Sequence, residues 1–370
     1  MLLLIPGPVT TRPEVREALC VDIAPWDPAS RDFYARLCAR VLALAGGRDG
    51  VHAALPLPGC GHFIIEAAIR TFLAPGEALL VPMTGAYSER MTRLAVEAGR
   101  RVVPLPIPDD RPAAPSAVAA ALAADPTIGH VGMVYSETGT GICHDLPTIG
   151  AAVRQAGRRM IVDAVSAFGA LPFDIARHPE VDAAVFTANK CLEGVPGIAF
   201  AVARVDRLEE SAGNAGSWSL DLTDVYAHQV ENWGTARFTP PAQVLNAFDR
   251  ALDLYETEGG QPARLARYEA NMRTLYDGVR RLGLSPYLAE DAQGPIIVNV
   301  HAPADPAWNL QVFVDALKRR GFLISNFHNT LRPSFRVGCI GAIAPADMAR
   351  AVSAMGQVLE EMGIRRREAA

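Results

Sequence analysis

Residues 160–203 read MIVDAVSAFGALPFDIARHPEVDAAVFTANKCLEGVPGIAFAVA and carry three nearly continuous apolar runs, at 160–165, 183–188 and 197–203. Runs of this kind are typical of strands that are covered on both faces of a sheet. Amphipathic helical patterns separate several such runs, as at 88–98 and 146–155. The alternation predicts βαβ units, and therefore an α/β fold with a mainly parallel sheet. The other runs in this sheet are ALLVP (78–82), RVVPL (101–105) and HVGMVY (130–135).

The pattern changes after Pro240, where long helical stretches cover 242–258 and 262–282. A smaller α+β set follows, with strands at 295–300 and near Phe322 and Phe335, and helices at 309–320 and 345–362. The first thirty residues are rich in proline and predict an extended chain. We therefore expect an extended N-terminal segment (1–30), a large domain (31–260) and a small C-terminal α+β domain (261–370).

Composition narrows the choice of partners. The 35 Lys and Arg residues against 40 Asp and Glu give a net charge of -5, which provides no global positive field for nucleic acid. No apolar run approaches the roughly 18 residues that a membrane span needs. The six cysteines are scattered without a C-x-x-C pair, a spacing that indicates neither a metal site nor a disulfide framework. We expect a cytoplasmic protein with reduced thiols that binds small molecules.

Ligands of open α/β sheets bind beyond the carboxyl ends of the strands. Five features occur in chain order, the first directly before a predicted helix and the other four at the ends of predicted strands, and each alone has an ordinary explanation. Glycine turns before helices are common, an aromatic ring can simply belong to the core, and clustered hydroxyl groups most often form turns. A carboxylate at a strand end can cap a helix or form an ion pair, and a lysine there can be an ordinary solvated surface residue. These features are Gly59 to His62, Tyr87, the YSETGTG segment (135–141), Asp163 and Lys190.

Together the five features indicate a pyridoxal phosphate site. The phosphate needs amide groups at a helix start, the pyridine nitrogen needs a carboxylate, the phenolic oxygen needs a donor, and the aldehyde needs a lysine amine. A chance occurrence of all five in this order is far less probable than any one of them.

The chain resembles the class V aminotransferases of fold type I, and within that family most closely those that act on 2-aminoethylphosphonate. The resemblance runs nearly end to end and is carried by nine segments. These are PGPVTT (6–11), APWD (24–27), TGAYSERM (84–91), VYSETGTG (134–141), IVDAVSAFG (161–169), TANKCLEGVPGIAF (187–200), SLDL (219–222), RFTPP (237–241) and FRVGCIG (335–341).

The resemblance implies a role for each matching position. Lys190 matches the Schiff-base lysine, and Asp163 matches the carboxylate that pairs with the pyridine nitrogen. The rest of the cofactor set comprises Cys60, Gly61 and His62 at the phosphate, Val165 and Tyr87 on the two ring faces, Thr138 near the phenolic oxygen, and Thr239 from a partner subunit. Arg336 matches the arginine that binds the acidic end of the substrate, through paired hydrogen bonds to a carboxylate or phosphonate.

The resemblance thus implies a pyridoxal phosphate enzyme that moves the amino group of 2-aminoethylphosphonate, or a close analogue, to pyruvate. Its products would be phosphonoacetaldehyde and alanine, and its active sites would be shared within a homodimer. Three alternatives stay open: an alanine:glyoxylate type of aminotransferase, a lyase acting on a related aminophosphonate, and a cofactor-sensing protein without activity.

Departures from the family pattern motivate these alternatives. Cys60 and His62 replace the Ser or Thr of the phosphonate enzymes, and the GCGH segment is closer to the alanine:glyoxylate enzymes. Gly139 stands where relatives often carry Ser or Thr. The loop SNFHNTLRPS (325–334) lacks a Pro-Gly-Lys turn, so the basic group expected there is either absent or replaced by His328 or Arg332. His62 is also consistent with a residue that hydrogen-bonds to the cofactor-contacting residues without touching the cofactor itself.

Overall fold

The computed structural model describes residues 1–369 and begins with a short strand, β1 (Leu2–Leu3). Helix α1 (Pro13–Glu17), a 3₁₀ turn (Ala18–Cys20) and helix α2 (Pro28–Leu44) follow. The prediction of an extended chain over 1–30 is therefore wrong for residues 13–20 and 28–30. Pro13 favours a helix start, and Val15 buries its side chain against a later helix, so a tertiary contact stabilises this short helix.

A seven-stranded sheet forms the centre of the protein. Its spatial order is β2-β8-β7-β6-β5-β3-β4, and only β8 runs antiparallel to its neighbours. The predicted α/β fold with a mainly parallel sheet is confirmed. The strands are β2 (His52–Gly59), β3 (Ala78–Met83), β4 (Arg101–Pro106), β5 (Ile128–Val134), β6 (Arg159–Asp163), β7 (Val181–Thr187) and β8 (Gly197–Arg204).

Strand β2 is absent from the predicted strands. It carries Pro56 and Pro58, which weaken any strand pattern in a sequence. The structure accommodates both prolines because β2 lies at an edge of the sheet.

Helices cover both faces of this sheet, so successive residues of a central strand bury their side chains in different clusters. Val162 packs in the cluster that includes residues of α2, whereas Ile161 packs on the opposite side. The covering helices after α2 are α3 (Gly61–Phe72), α4 (Ala86–Glu97), α5 (Pro115–Ala124), α6 (Leu146–Gln155), α7 (Val205–Glu210), α8 (Leu222–Glu231) and α9 (Ala242–Glu258).

The C-terminal part has its own hydrophobic cluster, which includes Phe313, Phe335 and Met355 and also takes in Leu4 from the N-terminus. Strand β1 pairs in parallel with β10, and β9 pairs antiparallel with β11. The elements are α10 (Gly260–Arg281), β9 (Ile297–His301), α11 (Leu310–Arg319), β10 (Phe322–Leu323), β11 (Ser334–Gly338) and α12 (Pro345–Glu361).

The predicted domain boundary at residue 260 coincides with the junction of α9 and α10, and it stays a prediction. Among residues 1–369, no helix combines the length and the apolar character that a membrane crossing requires.

Candidate active site

Four of the predicted site residues follow neighbouring parallel strands. Asp163 is the last residue of β6, Lys190 follows β7, Thr138 follows β5, and Tyr87 follows β3. Because β3, β5, β6 and β7 are adjacent and parallel, their carboxyl ends meet at one edge of the sheet. The fold therefore gathers these side chains at the edge where ligands bind in such sheets.

Lys190 is buried, with 8% of its surface exposed. Burial lowers the pKa of its amino group to about 8. The N-terminal segment packs on it so closely that a Cβ on Gly7 would lie 2.7 Å from Lys190 Cδ and 2.8 Å from Nζ. Only glycine fits at position 7, and the N-terminal segment is consequently one wall of the site.

Asp163 is also buried, and burial raises the pKa of its carboxyl group to about 6. Its Oδ1 accepts a hydrogen bond from the Val165 backbone amide at 2.9 Å. The Val165 side chain in turn reaches the glycine loop, because a Cβ on Gly61 would lie 3.1 Å from Val165 Cγ2. Asp163, Val165 and Gly61 therefore form one continuous wall.

Arg336 comes from β11 and brings a fully buried guanidinium to this edge. It is 2% exposed, and its Nη1 donates to the Thr138 carbonyl oxygen at 2.9 Å. The Ser325 hydroxyl lies 3.4 Å from both Nε and Nη2, and the Phe327 ring centroid is 5.0 Å from Cζ. Burial lowers the pKa of Arg336. The C-terminal part thus brings a desolvated cation to the strand-end site.

The glycine loop and Tyr87 border a more open region. Cys60 is exposed, with its Sγ 3.9 Å from His62 Nδ1, and burial together with Arg90 lowers the pKa of His62. The Arg90 guanidinium lies over the Tyr87 ring, with Cζ 4.7 Å from the centroid. An open pocket of about 400 Å³ is lined by His62, Arg90, Arg93, Leu94 and Glu97.

Thr239 does not follow a strand of the central sheet. It is exposed on the segment between α8 and α9, where its neighbours Phe238 and Pro240 line a small cavity together with Pro58. Its expected contact with a cofactor across a subunit interface stays a prediction.

Three polar residues at this edge were missed by the sequence analysis, although each lies inside a quoted motif. Ser166 Oγ is 2.6 Å from Thr138 Oγ1. Thr187 Oγ1 is buried without a hydrogen-bond partner in the described chain. Glu137 is fully buried, and burial raises the pKa of its carboxyl group to about 7. The sequence signal that could have identified these three residues was a hydroxyl or carboxyl group within a motif at the end of a strand.

These residues fit pyridoxal phosphate. The site has a buried amine, a buried carboxylate, and an unpaired Thr187 hydroxyl close to the glycine loop, where a Cβ on Gly61 would lie 3.7 Å from Thr187 Cγ2. A buried hydroxyl without a partner costs free energy, and a bound phosphate would relieve that cost.

Comparison with known proteins identifies the class. The family model described as "Aminotransferase class-V" matches residues 58–337. The chain therefore belongs to the class V aminotransferase family, whose members depend on pyridoxal 5'-phosphate.

Two relatives that are similar over nearly the full length of the chain are named for the same activity. The chain is 45% identical to the 2-aminoethylphosphonate–pyruvate transaminase of Burkholderia ambifaria, over 98% of this chain and 96% of the relative. It is 43% identical to 2-aminoethylphosphonate–pyruvate transaminase 1 of Cupriavidus pinatubonensis, over 98% and 95%.

Solved structures agree with the fold. Pyridoxamine-pyruvate aminotransferase from Mesorhizobium loti has a TM-score of 0.88 at 26% identity, covering 99% of this chain and 93% of that one. A subgroup IV aspartate aminotransferase from Thermus thermophilus has a TM-score of 0.84 at 26% identity, covering 98% and 100%. The fold is that of the fold type I aminotransferases.

Proposed function

We propose that this aminotransferase moves the amino group of 2-aminoethylphosphonate, or a close analogue, to pyruvate, with phosphonoacetaldehyde and alanine as products. The observation that carries this proposal is the buried guanidinium of Arg336 beside Thr138, at the same edge as Lys190. A desolvated arginine binds an anionic group strongly and can pair two of its N–H groups with a phosphonate or a carboxylate. The relatives named for this activity support the choice of the phosphonate.

Arg336 serves both substrates in this proposal. The phosphonate of the amine and the carboxylate of pyruvate occupy the same position in turn, so one cation orients the reacting carbon in each half of the reaction. This arrangement keeps the amine close to Lys190, and such orientation contributes a large part of the rate.

The remaining assignments follow the family pattern. Lys190 and Asp163 would hold the cofactor at its aldehyde and ring nitrogen, Val165 and Tyr87 would enclose the ring, and Thr138 would lie near the phenolic oxygen. Cys60, Gly61, His62 and the partner subunit's Thr239 would contact the phosphate. When bound, pyridoxal phosphate supplies an electron sink for the carbon that loses its proton.

Lys190 moves that proton in our proposal. Its pKa of about 8 leaves part of the amine neutral near neutral pH, and a neutral amine can accept a proton from the substrate carbon. The buried position excludes bulk water from this transfer. Asp163, with an oxygen held by the Val165 amide, keeps its carboxylate oriented.

We further propose a cytoplasmic homodimer in which each subunit completes the site of the other. Exposed aromatic side chains support an interface near Thr239, since Trp218 is 67% exposed and Trp233 is 59% exposed in the single chain. Trp218 packs edge to face against Phe238, the residue before Thr239.

The test is a single-turnover experiment on the holoenzyme. Adding 2-aminoethylphosphonate should convert the cofactor's absorbance, and adding pyruvate should restore it, with one alanine formed per site. Lys190→Ala is the control and should do neither. Ammonia released without an acceptor would instead indicate a lyase, cycling with alanine and glyoxylate alone would indicate the alanine:glyoxylate type, and an unchanged spectrum with all amines would indicate a sensor.

A further inference from the structure

Glu137 makes three hydrogen bonds to backbone amides through one fully buried carboxylate. Its Oε1 accepts from the Gly139 amide at 2.9 Å and from the Tyr87 amide at 3.3 Å, and its Oε2 accepts from the Ser88 amide at 3.3 Å. Two of these amides belong to α4, and the third belongs to the loop after β5. The carboxylate therefore joins two separate segments of the candidate active site.

Helix α4 depends on this carboxylate at its first turn. The residue that precedes the helix is Gly85, which has no side chain to accept from the free amides of Tyr87 and Ser88. A helix N-terminus favours negative charge, and an acceptor from elsewhere in the chain can replace a local cap. Glu137, about fifty residues further along the chain, is that acceptor.

Two glycines pack closely against the Glu137 side chain. A Cβ on Gly85 would lie 2.9 Å from Glu137 Cγ and Cδ, and a Cβ on Gly139 would lie 3.0 Å from Oε1. Both separations are shorter than ordinary van der Waals contact, so two glycines make space for the carboxylate. Gly139, which departs from the family pattern, thereby has a physical explanation in this chain.

Each of the two segments that Glu137 joins carries one residue of the proposed cofactor site. Tyr87 lies in the first turn of α4, and Thr138 follows Glu137 directly. The Thr138 carbonyl oxygen accepts a hydrogen bond from Arg336, and the Thr138 hydroxyl is within hydrogen-bond distance of the Ser166 hydroxyl. We propose that Glu137 is a positioning residue that sets the separation of Tyr87 from Thr138 across the cofactor site. This inference rests on the proposed function.

Glu137→Gln tests the proposal with little change of shape. One acceptor oxygen becomes an amide donor that faces a backbone N–H, so at least one hydrogen bond is lost and α4 can shift. We expect the Kd for pyridoxal phosphate to rise about tenfold, which corresponds to the loss of one hydrogen bond to a charged group. The Tm difference between holoenzyme and cofactor-free protein should shrink accordingly.

Glu180→Gln is the matched control. Glu180 is also a buried carboxylate, but it lies at the amino end of β7, whereas the candidate site lies at the carboxyl ends of the strands. It pairs with Arg154 and His178. This variant should lower the Tm of both forms equally and leave the cofactor Kd unchanged. A wild-type Kd in Glu137→Gln, or a loss of Tm that is equal in both forms, would overturn the proposal.

Glu137→Asp provides a second variant should Glu137→Gln fail to fold. It keeps the charge on a side chain shorter by one methylene, which cannot reach all three amides, and its Kd should also rise. A wild-type Kd in this variant overturns the proposal. A wild-type protein with no affinity for pyridoxal phosphate would contradict the proposed function as well, so the two failures are distinguishable.

Discussion

Asp163 combines burial with a single amide hydrogen bond, and its charge needs a cationic partner at the site. Asp163→Asn should retain the cofactor but reduce kcat by at least tenfold, because an amide cannot compensate a protonated ring nitrogen. Each decade corresponds to about 1.4 kcal/mol of transition-state stabilisation. Steady-state kinetics and the cofactor absorbance of the purified variant measure both quantities. Near-normal turnover would show that another group supplies the charge.

Arg336 is assigned to the anionic end of the substrate. Arg336→Gln should raise KM for 2-aminoethylphosphonate by about 10- to 100-fold, since charge-assisted hydrogen bonds contribute roughly 1.5–3 kcal/mol. The KM for an uncharged amine of similar length should change much less, and cofactor retention should persist. Equal losses on the charged and uncharged amines would argue against the assignment.

Strands β5, β6 and β7 are tied together at their amino ends by a charged cluster, opposite the candidate site. Asp182 on β7 is fully buried and pairs with Arg159 on β6, with Arg207, and with His130 on β5 at 2.9 Å. Burial alone lowers the pKa of His130, but the carboxylates of Asp182 and Glu77 outweigh it, and the pKa is raised overall.

This cluster predicts a pH-dependent contribution to stability. A raised histidine pKa stabilises the fold fully below the unfolded-state value of about 6.5, and the contribution disappears as pH rises through the folded-state pKa. The free energy of unfolding should therefore differ more between wild type and His130→Gln at pH 5.5 than at pH 9. Denaturant titrations at the two pH values measure this. A difference that is constant or grows with pH would contradict the assignment.

The N-terminal segment connects the two parts of the protein. Leu2 and Leu4 donate backbone hydrogen bonds to Gly321 and Leu323, the Leu4 carbonyl accepts from Gly338, and Gly7 packs on Lys190. Gly7→Ala should leave the protein folded but reduce turnover at least tenfold, because the added methyl group displaces Lys190. Gly50→Ala, which also replaces a glycine with positive φ but meets no atom within 4 Å, is the control. Equal turnover in the two variants would contradict the close approach.

In the proposed homodimer, cofactor binding in one subunit depends on Thr239 of the other subunit. Thr239→Ala should weaken cofactor retention if each subunit contributes this residue to its partner's site. The closed C₂ interface of such a dimer presents the same residues to both sites. Sedimentation velocity and cofactor dissociation rates, measured on the same samples, test this. A fully active monomer would falsify the shared site.

Local patterns in the chain were enough to predict the α/β class, helices such as α6 and α9, and the residues at the strand ends, because periodicity and turn residues act over short spans. The reversal of β8, the contact of Gly7 with Lys190, and the bond from Arg336 to Thr138 were not predictable in this way. These contacts join residues far apart in the chain. They form only when the layers pack, since burial, and not sequence proximity, brings the groups together.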